Sequence, residues 1–449
     1  MTRIVQFFAL VLASFALMTR PALAQQILRD AETEAFMADM SGPLVKAAGM
    51  EPKNVQVMVI NDPEINAFVA GGQYVWVHSG LIAQADNVNQ IQGVVAHELG
   101  HIEGGHVIRS GEGVKEATSV TLLSLVLGAA AIAAGGAEAG LGIMGLGQQA
   151  AMTRYLAFSR AQESSADLAG ARYLHTAGIS GRGSLEFFKK LQNQEYRLAI
   201  PQGNSYGRTH PLSGERINVL REVYEVDPAW NKPLDPKLEA RFERIKAKLI
   251  GFVSEPAQTL AKYPESDQSI PAHYARAYAW HKSAYPDKAL AEANALLAAA
   301  PHDPYFLELK GQILLESGKP ADAIAPLREA VKLTNQPLIS VLLSHALIAT
   351  EDEANFAEAE QVLRVAVNRD RENPFAWYQL GVVYERRGDI PRAALATAER
   401  YEMMGQHPMA LRSADAAMQG LKPGTVDYLR AQDIAMVSRA AIEQQRKKR

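Results

Sequence analysis

Gln92-Gly93-Val94-Val95-Ala96-His97-Glu98-Leu99-Gly100-His101 reads as helix, and its polar residues set the terms for the chain around it. His97 and His101 stand four residues apart, so both project from one face. Two imidazoles so placed can hold a Zn²⁺ ion through ring nitrogens. Glu98, between them, stands where a carboxylate can take a proton from a water that the cation activates. A catalytic zinc takes three protein ligands and keeps a fourth position open. A third ligand must therefore come from elsewhere in the chain.

The stretch Phe158-Ser-Arg-Ala-Gln-Glu163-Ser-Ser-Ala-Asp167-Leu-Ala-Gly-Ala-Arg172-Tyr173 supplies one. Its small residues, Ala161, Ala166, Ala169, Gly170 and Ala171, predict a tightly packed helix. Glu163 and Asp167 again share a face. Most acidic pairs of this kind lie on solvated faces, but few other charges accompany these two. Glu163 can complete a His₂Glu set, and Asp167 can reach the far nitrogen of a ligand histidine and fix its tautomer. His106 follows Gly104-Gly105 and lies off the His97/His101 face, which makes it a structural residue or a contact of a ligand, not a ligand. His78, at the end of a predicted strand, belongs to no motif.

His-Glu-Leu-Gly-His, then Ser159-Arg-x-x-Glu163-x-x-Ala-Asp167, then Thr209-His210-Pro211-Leu212-Ser213-x-x-Arg216-Ile217 resembles the Ste24-like zinc metallopeptidases. The upstream run Asn66-Ala-Phe-Val-Ala-Gly-Gly-Gln-Tyr-Val-Trp-Val-His-Ser-Gly80-Leu resembles the segment that precedes the metal helix in that family. The four blocks stand in family order over roughly residues 30–225. The resemblance implies one Zn²⁺ per chain, with His97, His101 and Glu163 as ligands. It implies Glu98 as the catalytic acid/base and Asp167 as a supporting or proton-donating residue. It places His210 near the metal, either capping it and holding the enzyme shut or stabilising the transition-state oxyanion.

Met1-Thr-Arg3 is followed by an almost wholly apolar stretch, Ile4 to Met18, and by Ala22-Leu23-Ala24. This is the pattern of a secretory leader cut after Ala24. The chain has no cysteine, which excludes disulfides and thiolate metal sites and suits an oxidising periplasm. A net charge of −3 argues against a nucleic-acid partner, and 48% hydrophobic residues with 21% charged describe a folded protein.

Residues 27–50 predict a helix, and Val55–Ile60 and Gln73–Val77 predict short strands, with Ala67–Ala70 a third before Gly71-Gly72. The resemblance implies that an edge strand beside the metal helix receives an extended substrate by main-chain pairing, with Gln73–Val77 or a neighbouring strand as the candidate. From Ala117 to Ala137 no residue is charged, and Gly140–Gly147 continues in the same character after Glu138. Residues 117–153 thus read as a buried helical pair, a lid, or a surface that touches membrane or an unfolded client.

A Pro-rich connector, Asp227–Pro236, and a charged helix, Lys237–Val253, precede a repetitive region. Trp377-x-x-Leu380-Gly381-x-x-Tyr384 fits the opening of a tetratricopeptide repeat. Taking Pro374 as position one, earlier units start near Pro337, Pro304 and Ile270, with about three extra residues at Glu351–Asn355. A last helical pair over 407–441 ends in basic Arg446-Lys-Lys-Arg449.

The expected architecture is α+β and mostly α: a zincin-type metallopeptidase domain with a small sheet, then an all-α solenoid. The expected divisions are a leader at 1–24, the peptidase domain at 25–225, a linker and connecting helix at 226–269, and repeats at 270–449. The resemblance implies a periplasmic endopeptidase, possible membrane association aside, with a chaperone-like role in outer-membrane protein quality control. Its partners would be unfolded or misassembled outer-membrane proteins and the barrel assembly machinery. The competing expectation is a non-proteolytic scaffold that binds proteins through its repeats.

Overall fold

The computed structural model describes residues 27–133, 137–198, 210, 211 and 213–447. The leader assigned to 1–24 lies outside them. The chain forms two compact units, one from residues 41–233 with the 27–28 strand, the other from residues 29–40 with 234–447.

The first unit carries the sheet. Strands β1 (Ile27–Leu28), β2 (Gln56–Ile60), β3 (Ala67–Ala70) and β4 (Tyr74–His78) lie in the order β1-β2-β4-β3. The chain turns between β3 and β4 through Gly71 and Gly72, both at positive φ, where a side chain would be strained. Alternation then sorts the faces: Val75 and Val77 are buried, while Tyr74 and Trp76 stack at 5.7 Å on the other side. Because β4 pairs in parallel with β2 and antiparallel with β3, Gln73–Val77 lies inside the sheet. The edges fall on β1 and on β3, the neighbour of β4.

Helix α1 (Ala31–Ala47) gives its opening residues to the second unit and its end to the first. After the short α2 (Ser79–Gln84), the metal-motif helix α3 (Val88–Glu103) begins at Asn87, whose side chain accepts from the Gln90 amide. α4 (His106–Ala133) and α5 (Ala137–Ala177) pack along each other as a hairpin, followed by α6 (Arg182–Leu198) and α7 (Gly214–Glu225). The hairpin is not the buried helical pair that its apolar composition first suggests. Leu122, Leu123, Val126, Leu141 and Leu146 are all exposed.

In the second unit α8 (Pro236–Val253) and α9 (Pro256–Lys262) lead into paired helices. α10 (Ile270–Lys282), α12 (Pro304–Glu316), α14 (Pro337–Ala349) and α16 (Pro374–Arg386) each open a unit. α11 (Pro286–Ala299), α13 (Pro320–Thr334), α15 (Glu353–Arg369) and α17 (Ile390–Met403) answer them, and α18 (His407–Gly420) and α19 (Val426–Lys447) end the array. Three of the four openings are proline at the first helical position, where a missing N–H costs nothing. Buried alanines such as Ala289 and Ala293 let the helices approach, and Tyr274, Phe306 and Leu296 fill the space between them.

Charge is also buried in this unit. Lys248 on α8 lies 2.5 Å from Asp30 and 3.3 Å from Glu32 of α1, and Tyr274 donates to Glu32 at 2.6 Å. Glu308 on α12 has a buried, unbonded Oε2, and desolvation, opposed by Lys248 but reinforced by Asp30 and Glu32, pushes its carboxyl from 4.5 up to about 8. The unfolded chain releases this proton near 4.5, whereas the folded chain holds it until about 8. Stability contributed by this group therefore falls as pH rises through that window and is flat above it. Glu308→Gln is expected to remove that slope, so the variant's Tm gain over the parent grows from pH 5 to pH 8. A Tm difference independent of pH would show that Glu308 does not titrate there.

Candidate metal centre

Helices α3 and α5 cross closely because both are small at the crossing. A Cβ on Gly100 would fall 2.6 Å from the Ala166 carbonyl oxygen, and one on Gly170 would fall 3.1 Å from the backbone of Ala96. That approach carries Glu163, one turn before Ala166, to the His97/His101 face. His97 Nε2 lies 3.0 Å from His101 Nε2, and Glu163 stands 3.4 Å from each. His210 joins them: its Nδ1 is 3.3 Å from His97 Nε2 and 3.2 Å from Glu163 Oε1. One nitrogen or oxygen from each of the four residues lies within 4.8 Å of the others, and all four residues are buried.

These separations suit a small cation. Zinc bonds of about 2.0–2.1 Å in a tetrahedron put ligand atoms about 3.3 Å apart. The donor set, imidazole nitrogens with a carboxylate, is of the kind zinc takes. Glu98 points the same way. Its side chain is 0% exposed and neither carboxylate oxygen has a hydrogen-bond partner among the described residues, a costly arrangement unless a reactant belongs there. His210 Nε2, at 3.5 Å, is close to it.

The far nitrogens of both α3 histidines are occupied. Asp167 Oδ1 lies 2.9 Å from His97 Nδ1, and His106 Nδ1 lies 2.9 Å from His101 Nδ1. Burial depresses the His97 pKa, but Asp167 and Glu163 outweigh it and lift the ring to about 10. Burial and the neighbouring His97 charge hold His101 low. Burial works against ionisation of Glu163, yet hydrogen bonds from His101, His210 and His97 bring its carboxyl far below the ordinary range.

Arg216 is the residue to which the sequence assigned no role. Buried at the start of α7, it donates from Nε and Nη2 to both oxygens of Asp167 at 2.7 and 2.9 Å. Its Nη1 donates to the Pro211 carbonyl at 2.7 Å and lies 3.0 Å from Glu163. One guanidinium thus ties both acids of α5 to the segment bearing His210. It outweighs the burial of Asp167 and, with His97, keeps that carboxyl ionised at low pH. Two acids sharing one face of an Ala-rich helix were the available hint that a buried cation must face them. Phe188 of α6 closes the floor, edge-on to His97 and beneath Arg216.

Residues 28–224 match Peptidase family M48, and residues 282–337 and 351–408 match the tetratricopeptide repeat. The chain therefore carries an M48 metallopeptidase domain followed by tetratricopeptide repeats, and a metal is part of that chemistry. Over 411 residues it is 24% identical to the beta-barrel assembly-enhancing protease of Escherichia coli (strain K12), covering 90% of this chain and 82% of that one. It is 30% identical over 177 residues to the metalloprotease LoiP of the same organism, covering 39% of this chain and 65% of that one. Among solved structures, MamA superposes at a TM-score of 0.29 with 22% identity, over 38% of this chain and 96% of that one.

Proposed function

We propose that this chain is a zinc endopeptidase of the bacterial cell envelope that acts on misassembled outer-membrane β-barrel proteins. The observation that carries the proposal is the convergence of His97, His101, Glu163 and His210 beside the buried carboxylate of Glu98, which has no hydrogen-bond partner among the described residues. The name of the Escherichia coli relative supports the substrate class and the envelope location. In this reading residues 1–24 are a cleaved leader, 25–225 the peptidase domain, 226–269 the connector and 270–449 the repeats.

His97, His101 and Glu163 would hold the cation. Zinc at that point supplies Lewis acidity, making water acidic near neutral pH and polarising a carbonyl. Glu98 takes the proton of the attacking water and returns it to the leaving amine. Asp167 acts as a positioning residue, since Arg216 and His97 keep it ionised and leave it no proton to give. The substrate would add to β3, a sheet edge, whose Ala67 carbonyl already accepts from His210 Nε2 at 3.2 Å. Recruitment falls to the repeats, where Arg364, Arg371, Trp377, Tyr384 and Arg392 line a cavity of ≈ 500 Å³.

Metal analysis of the purified mature chain tests this directly. One zinc per chain is expected, with casein cleavage lost on chelation and restored by zinc. Asp167→Asn is expected to weaken zinc binding about 10–100-fold. A mature chain without stoichiometric metal would overturn the proposal. The alternative, a scaffold without proteolysis, draws on one observation, that His210 stands among the ligands.

A further inference from the structure

The peptidase chemistry makes no use of the distal two-thirds of α4 or of the first third of α5. Both are apolar on nearly every side. Contact between the two helices covers a narrow stripe, with Ser124 and Gly128 on one and Gly140 and Ala151 on the other. Around that stripe Leu123 is 61% exposed, Val126 66%, Leu141 65% and Leu146 68%. Nothing among the described residues covers them.

We propose that this hairpin inserts into the acyl layer of an anionic phospholipid bilayer. Three features select lipid as the occupant. The first is the distribution of apolar residues. A helix that docks in a protein groove presents one stripe, whereas one surrounded by hydrocarbon is apolar all round. The second is charge. Residues 117–137 and 139–153 carry none, and Glu138 stands at the tip. The root of the hairpin holds Arg109, Glu112, Lys115 and Glu116 on α4 and Arg154 and Arg160 on α5. The excess there is positive and comes from α5, which complements an anionic headgroup layer, and exposed Tyr155 suits the same interface. The third is length. Each uncharged arm is about 25 Å long at 1.5 Å per residue, against a hydrocarbon core of about 30 Å. The arms are therefore immersed over their whole length, and Glu138 approaches the opposite headgroups. His106–Ile132 is by length and composition apolar enough to cross a membrane.

Such an anchor would set the metal centre at the bilayer surface. His106, which begins α4, contacts His101, and Glu163 follows the hairpin root along α5. The substrates presented to the site would then be chains already at the membrane.

The test is flotation of the mature chain with vesicles of phosphatidylglycerol and phosphatidylcholine. The parent protein is expected to float. Leu123→Glu combined with Val126→Glu should lower vesicle affinity at least about tenfold, with an unchanged far-UV spectrum and melting curve because both residues are exposed. Arg154→Gln with Arg160→Gln should weaken binding to phosphatidylglycerol vesicles only, and less so in high salt. Val126→Trp should show fluorescence quenched by brominated acyl chains. Undiminished flotation of the double-glutamate variant would overturn the proposal. So would a variant that floats normally but loses capture of an unfolded polypeptide, or one whose only change is dissociation of a dimer.

Discussion

Glu98→Gln is expected to lower peptide hydrolysis by about a thousandfold, within the range that a positioned base contributes, while zinc content and melting temperature hold. The amide keeps the shape of the carboxylate but cannot accept the proton. Glu98 is not one of the four clustered ligand residues, so the metal should stay. Its carboxylate is wholly buried and has no hydrogen-bond partner among the described residues, so replacing it by the amide should cost the fold nothing. The measurement is kcat/KM on an unfolded protein substrate, with metal analysis of the same sample, both in a His210→Ala background so that the baseline is high. Retained hydrolysis would assign the base elsewhere. Lost hydrolysis accompanied by lost zinc would make Glu98 a structural part of the metal site.

What could be read from the sequence here is what depends on local spacing. The i, i+4 relations of His97 with His101 and of Glu163 with Asp167 place each pair on one face before any packing is known. The alternation in Val55–Ile60 and Gln73–Val77 likewise gave strands within a residue or so of β2 and β4. Proline marked the starts of α12, α14 and α16 at Pro304, Pro337 and Pro374 because it punctuates helices locally. What stayed hidden depends on pairing across the chain. Arg216 meets Asp167 only because α7 crosses α5. That β3 forms an edge follows from strand order, to which hairpin sequences are blind. The exposure of α4 and α5 was equally illegible, because an apolar helix in a core and one in lipid share a composition.

His210→Ala is expected to raise hydrolysis about tenfold or more, by removing the closed population from the open–closed equilibrium. The atoms argue for a cap over an oxyanion donor. Nε2 lies 3.2 Å from the Ala67 carbonyl, so a proton there is donated to β3. That leaves Nδ1, which hydrogen-bonds Glu163 and faces His97 Nε2, as the atom whose lone pair a cation at the cluster would take. The ring therefore meets a cation with an acceptor, whereas an oxyanion needs a donor. It also occupies an edge carbonyl that an extended substrate would pair with, so one side chain blocks both the metal and the strand. Pro211, held by Arg216, ties the capping segment to the acids beneath it. Opening therefore has to break the His210 contacts, and a substrate competing for β3 would favour it. The variant should hold zinc less tightly and cleave faster, and its KM for an extended peptide should fall as Ala67 is freed. A loss of activity with zinc retained would make His210 a transition-state donor. Silence in both the parent and the variant, with zinc bound, would favour the scaffold.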